Sequence, residues 1–195
     1  MNGRDFIELS EINLSTNPFK HFSAPSFFKS IYSSMLLDWF ETSAPWKLIE
    51  KDFYEQYEFS FLDTSLPDDL KWLIGVDSLA AVRVAIENIF GVSLSEKVDL
   101  NAHKLICGQT IRIHNDFIPG QESFRLVTQL NQRWEPDNGG FLLLFNSDDP
   151  SDVNKVVAPI DGSCLAFRIS RDSNHAVSTI HSGERYTLVY SFYDE

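Results

Sequence analysis

The sequence predicts an α+β fold in which helices come first and an antiparallel β-sandwich or barrel follows. Apolar residues in the first half recur at spacings of three and four, whereas from about His103 onward the period falls to two and turn residues break the chain repeatedly. With 195 residues, 43% of them apolar and 16 of them Phe, the chain can bury a full core. It reads as a single domain over 1–195, with a mainly helical lead over 1–100 and a β core over 101–195.

In order along the chain, Ser26 after Pro25 is a candidate N-cap, and Phe27, Phe28, Ile31, Tyr32, Met35, Leu36, Trp39 and Phe40 then form one broad apolar stripe that stops at Thr42 to Pro45. Trp46, Ile49, Phe53 and Tyr57 continue at helical spacing and predict a second helix. Asp77 is the expected cap of a third, through Leu79, Val82, Ile86, Ile89 and Phe90, with Gly91 as its C-terminal stop. These stripes serve as core or as the face of a homodimer. Strands are then expected around Ile111–Ile113, Phe124–Leu130, Phe141–Phe145, Cys164–Phe167, Val177–Ile180 and Tyr186–Phe192, with Asp137-Asn138-Gly139-Gly140 and Asp161-Gly162 as turns.

Composition narrows the partners. The 28 acidic and 16 basic residues give a net charge of -12 with no basic run, which argues against nucleic acid. No stretch approaches the roughly 18 apolar residues of a membrane span, and Met1 to Ser10 lacks the apolar core of a signal peptide. Cys107 and Cys164 sit in apolar segments and are expected to be reduced, buried thiols, so a cytoplasmic protein is expected.

The chemistry lies in the second half. His114 and Asp116 form a His-x-Asp pair, His175 follows downstream, and Arg185 with Thr187 lies ten positions beyond it. Two imidazoles and one carboxylate on one face of an iron leave the opposite face open, which is the donor set of non-heme Fe(II) oxygenases. If Ile111 and Ile113 face the helices, alternation turns Thr110, Arg112, His114 and Asp116 inward together, and it sets Arg185, Thr187 and Val189 on one side of the last strand.

From about Leu105 to Tyr193 the motifs resemble the prolyl-4-hydroxylase-like branch of the Fe(II)/2-oxoglutarate-dependent oxygenases. Gly108-Gln109 precedes His114-Asn115-Asp116 at the family's distance, and Arg125-x-x-Thr128-x-Leu130-Asn131 followed by Gly139-Gly140 is similar to its next two strands. Pro159-x-x-Gly162, Phe167 and His175-Ala176-Val177 resemble the approach to the distal ligand, and Gly183-Glu184-Arg185-Tyr186-Thr187-Leu188 resembles the cosubstrate strand. The resemblance implies a double-stranded β-helix (jelly-roll or cupin-like) core with the N-terminal helices packed on one sheet. It also implies Fe(II) on His114, Asp116 and His175, and 2-oxoglutarate held by Arg185 and Thr187. The activity implied is O2-dependent hydroxylation of an unactivated C–H of a small molecule, amino acid or peptide side chain, giving succinate and CO2, with ascorbate as an optional stimulant. A protein hydroxylase of prolyl type and a non-catalytic metal-binding module are the alternatives.

Two positions depart from or bear on that pattern. Tyrosines common in prolyl hydroxylases nine and three positions before the first ligand are replaced by Leu105 and Ile111, so a hydroxyl near the cosubstrate must be missing or come from elsewhere. Asp116 is intact, which favours hydroxylation over halogenation. Arg112, Asn115, Arg125, Asn131 and Trp134, with Gln129, are candidates to line the substrate side, although Arg112 serves equally as a structural ion-pair partner and amides and Trp also serve turns and rims. His181 is the alternative to His175, and His21 and His103 read as structural.

Overall fold

The computed structural model describes residues 6–195; Met1 to Asp5, part of the segment read for a signal peptide, lie outside the described residues. The strands are β1 (Asn13–Ser15), β2 (His21–Ala24), β3 (Lys47–Lys51), β4 (Tyr54–Ser60), β5 (Leu94–Ile106), β6 (Ile111–His114), β7 (Phe124–Gln129), β8 (Leu142–Phe145), β9 (Val153–Val157), β10 (Cys164–Arg168), β11 (His175–Val177) and β12 (Glu184–Asp194). The helices are α1 (Ser30–Thr42) and α2 (Val76–Phe90).

All strands join one antiparallel sheet in the order β1-β2-β10-β7-β12-β5-β4-β6-β11-β8-β9, with β3 added on β4. The join between β4 and β6 is the single pair Tyr54 and Ile111, and here the sheet curls over into two layers. This is the double-stranded β-helix arrangement that the resemblance implied.

Alternation along β10 and β12 divides the interior in two. Cys164, Ala166, Tyr186, Leu188, Tyr190 and Phe192 face α1 and α2 and bury Phe22, Phe40, Leu36, Val82, Ile86 and Phe90 with them. Leu165 and Phe167 face the other way and pack with Phe19, Leu105, Leu142, Leu144, Ile169, Val177 and Ile180 between the layers. One sheet surface therefore holds the helices and the other is free to build a site.

The first hundred residues are less helical than their spacing suggests. Trp46 to Tyr57 is a β-hairpin, β3 and β4, closed by the two-residue turn Asp52-Phe53. Pairing with β5 overrides a helical spacing that a short segment meets by coincidence. β1, β2 and β9 also lie outside the predicted elements, and β5 begins well before His103.

At α1, Lys29 holds the N-cap position, Ser26 instead donates to the Phe28 carbonyl at 3.1 Å, and Ile31 is 64% exposed rather than part of the stripe. At α2, Gly75 holds the N-cap, Asp77 sits in the first turn, and Gly91 ends the helix in the left-handed region at φ 66°. Cys164 is buried as expected, and burial pushes its thiol up to about 12, but Cys107 is exposed.

Candidate active site

β6 and β11 pair so that His175 stands opposite His114, and their ring centroids are 4.2 Å apart. Asp116 lies two residues beyond His114 at φ 59°, a left-handed backbone that Asp tolerates better than most residues. The bend turns its carboxylate back, with Oδ1 3.4 Å from His114 Nε2 and Oδ2 3.2 Å from His175 Nε2. The three donor atoms lie within 4.8 Å of one another, close enough to share one metal ion.

Both imidazoles are fixed through their other ring nitrogen. His114 Nδ1 donates to the Arg112 carbonyl and His175 Nδ1 to the Ser173 carbonyl, each at 2.8 Å, which leaves the two Nε2 lone pairs directed at the shared point. Two imidazoles and a carboxylate suit Fe(II).

The triad opens into a cavity of about 320 Å³ lined also by Tyr54, Gln56, Glu58, His103, Arg125 and Arg185. Arg185 and Thr187 point into it from β12, as alternation predicts, while Tyr186 and Leu188 face the helices.

Two guanidiniums on the cavity wall differ in their partners. Arg125 donates to Asp116 Oδ2 at 2.6 Å and to Glu122, whose carboxylate also accepts from Ser191. Burial would raise the Asp116 pKa, but Arg125 and the two histidines hold it well below the usual carboxylate range. Arg185 is 4% exposed and has no acceptor among the described residues; its Nε is buried and unbonded, and burial lowers its pKa to about 10. A guanidinium left in this state fits an incoming carboxylate. Gly140 makes room for it, since a Cβ there would come within 2.9 Å of Arg185 Cδ.

The other candidates separate. Arg125 lines the cavity, but as the partner of Asp116. Arg112 does not share the interior face: it is exposed on an outer groove, and Ile111 takes the inward place. The cause is a bulge in β6, where His175 and Val177, two apart, pair with His114 and Ile111, three apart, so the side-chain phase shifts by one.

Asn115 lies outside the cavity, accepting from Phe117 N and donating to the Arg171 carbonyl to hold the loop after β6. Asn131 is an internal brace, accepting from Tyr186 N at 2.6 Å and donating to the Pro159 carbonyl. Trp134 packs elsewhere, with Nε1 donating to the Gly139 carbonyl. Gln129 is buried and His181 exposed, neither lining the cavity, whereas His21 is fully buried and bonded to the Phe19 carbonyl.

His103, read as structural, lines the cavity. Burial and the charges of Arg125 and Arg185 lower its pKa to about 3, so it is neutral.

The hairpin supplies the wall that sequence reasoning missed. Tyr54, Gln56 and Glu58 alternate on its inner face, and the Phe53 ring lies 4.5 Å from His114. Leu105 is buried in the apolar layer, and the phenol at the cavity comes instead from Tyr54, directly across from Ile111. Burial and then the Glu58 charge raise the Tyr54 pKa, which keeps it a donor. The alternation Tyr54-x-Gln56-x-Glu58-x-Ser60 was the available signal.

A curled antiparallel sheet holding a 2-His-1-carboxylate set is the arrangement that non-heme Fe(II) oxygenases use. Residues 100–193 match the family model of the 2OG-Fe(II) oxygenase superfamily. The fold is shared with a Pseudomonas putida prolyl-4-hydroxylase at 17% identity, covering 84% of this chain and 85% of that one, with a TM-score of 0.67. It is also shared with a viral collagen prolyl hydroxylase from Paramecium Bursaria Chlorella virus-1 (15% identity, 90% and 96% covered, TM-score 0.64). A third is a Trichoplax adhaerens prolyl hydroxylase solved with a hypoxia inducible factor peptide fragment (13%, 89% and 83%, TM-score 0.67). No curated protein matches the sequence. The matched region contains His114, Asp116, His175, Arg185 and Thr187, and the superfamily it matches implies Fe(II), 2-oxoglutarate and O2 as cofactor and cosubstrates.

Proposed function

We propose that His114, Asp116 and His175 bind Fe(II), that Arg185 and Thr187 hold the distal carboxylate of 2-oxoglutarate, and that the enzyme hydroxylates an unactivated C–H of a small molecule, amino acid or peptide side chain. The observation that carries this reading is one cavity containing both a candidate metal donor set and a buried guanidinium without an acceptor among the described residues. Iron held by His114, Asp116 and His175 would supply the oxidising chemistry for O2-dependent conversion of 2-oxoglutarate to succinate and CO2 and hydroxylation of the substrate carbon.

The residues of the chain do the rest. Arg185 pairs with the carboxylate through parallel N–H donors, Thr187 adds a hydroxyl from the same strand face, and Tyr54 offers a protonated phenol. Arg125 fixes Asp116 so that the carboxylate keeps its place between the two imidazoles. Val127, Val189 and Leu142 form apolar parts of the wall against which the substrate carbon would rest.

A second reading, hydroxylation of a prolyl-type residue in a macromolecular partner, is supported by a groove of about 830 Å³ that shares Glu58 and Asn101 with the cavity and would accept an extended chain. A non-catalytic metal module has no use for the Arg185 charge, which counts against it. Two free thiols support a reducing compartment such as the cytoplasm.

The test is conversion of 2-oxoglutarate to succinate by Fe(II)-loaded protein. Wild type should turn it over, and Asp116→Ala should fall to background; equal turnover in the variant would remove Asp116 from the metal site.

A further inference from the structure

Resting on that reading, we propose that Glu58 and Gln56 of β4 form the substrate-recognition subsite, and that it takes a cationic N–H donor: an alkylammonium or guanidinium group carried by the substrate.

Both side chains stand on the cavity face of β4, and they are linked. Gln56 Nε2 donates to Glu58 Oε2 at 2.8 Å. That bond fixes the amide, because the flipped orientation would set its carbonyl oxygen against a carboxylate. Gln56 Oε1 is thereby the end left over; the residue is only 3% exposed, and this oxygen has no donor among the described residues. A buried acceptor without a donor is costly to keep, so its presence on a cavity wall points to a ligand group.

Glu58 has the matching deficit. Among the described residues it forms no ion pair: Lys47 faces it across the hairpin, exposed and unpaired with it, and His103 stands opposite it on β5 as a neutral imidazole. The other cavity carboxylates, Asp116 and Glu122, both bind Arg125.

2-Oxoglutarate cannot fill the gap, because at neutral pH every one of its oxygens is an acceptor. Charge leads to the same place. Once the 2-oxoglutarate dianion and Fe(II) have cancelled, the cavity retains three carboxylates, Glu58, Asp116 and Glu122, against two guanidiniums, Arg125 and Arg185. One negative charge is left, and it sits at Glu58, beside the groove through which a substrate chain would arrive. A monocation with several N–H donors satisfies both the charge and the unbonded acceptors.

The test is calorimetric titration of the anaerobic Fe(II)·2-oxoglutarate protein, whose formation is read separately from its visible charge-transfer band. The probes are L-lysine, L-arginine and Nα-acetyl-L-lysine amide, with Nα-acetyl-L-norleucine amide and Nα-acetyl-L-citrulline amide, which carry no ammonium or guanidinium group, as neutral counterparts. At least one cation should bind roughly tenfold or more tightly than its neutral counterpart, the strength of a charge-assisted hydrogen bond. Glu58→Gln should erase that preference with the band intact, and Gln56→Met should weaken it. Preference for the capped lysine over the free amino acid would assign the cation to a peptide side chain, and the reverse to a free amino acid.

Neutral probes binding as well as cations, no cationic probe binding the loaded protein, or a preference that survives Glu58→Gln would each overturn the proposal. Failure of wild type to form the band strikes the iron and cosubstrate assignment instead.

Discussion

The two ends of the cavity each hold an arginine, and they are built on opposite terms. At one end Arg125 is clasped by Asp116 and Glu122: burial would lower its pKa, yet the two carboxylates more than offset this and raise it. At the other, Arg185 has no counter-charge among the described residues, and burial alone lowers its pKa. The first charge is spent inside the protein to hold Asp116 beside the two imidazoles. The second is kept unspent, which is stable only if something arrives to meet it. A buried arginine is thus read by its partners rather than by its residue type.

Breaking the unpaired end should have the largest effect. Arg185→Ala is expected to weaken 2-oxoglutarate binding by roughly a hundredfold or more, the range for truncating one side of a buried charge pair. Calorimetry on the Fe(II) protein measures it, and unchanged affinity would mean that the cosubstrate carboxylate lies elsewhere. At the paired end, Arg125→Met should cost about 10- to 100-fold in Fe(II) affinity, because it removes the group that orients Asp116. Its 2-oxoglutarate affinity, measured with saturating metal, should change far less; equal losses in both would erase the distinction between the two arginines.

His103 sharpens the comparison because both guanidiniums bear on it. Its folded pKa is lowered to about 3, so as the solution is acidified the unfolded chain takes up the proton first. Stability from this site is complete above about pH 6.5, the ordinary histidine value, and is lost progressively from there toward about pH 3. His103→Gln should flatten that part of the stability profile in denaturant melts across this range, and an unaltered slope would show that the imidazole charges freely. The smallest effect belongs to Arg112→Ala. Outside the cavity, it should change kcat/KM for 2-oxoglutarate by less than about twofold, as a surface substitution does.

The legible and illegible parts of the site follow the range of the forces that place them. The cluster of His114, Asp116 and His175 was readable because a metal donor set draws on particular side chains in a particular order, and the shared cavity face of Arg185 and Thr187 because a long central strand alternates its side chains. Arg112 was misplaced because a bulge depends on the partner strand, β11, and leaves no mark in the local sequence.

The β3–β4 hairpin was hidden twice. Trp46, Ile49, Phe53 and Tyr57 imitate helical spacing, and the turn Asp52-Phe53 lacks the glycine or asparagine that usually announces a hairpin. With it went Tyr54, Gln56 and Glu58, one wall of the cavity. Asn131 erred in the other direction: a polar side chain in a family-like motif, used here to satisfy the Tyr186 amide. The His-Asp-His donor set is written in residue identity, whereas the hairpin wall of the cavity is set by sheet pairing.

The most direct measurement is anaerobic addition of Fe(II) and then 2-oxoglutarate to wild type and to His175→Ala, with folding checked by circular dichroism. A visible charge-transfer band of chelated 2-oxo acid should appear in wild type and be absent from the folded variant. A wild type that binds iron without developing the band, or a variant that develops it equally, would contradict the assignment of the cavity as an Fe(II)/2-oxoglutarate site.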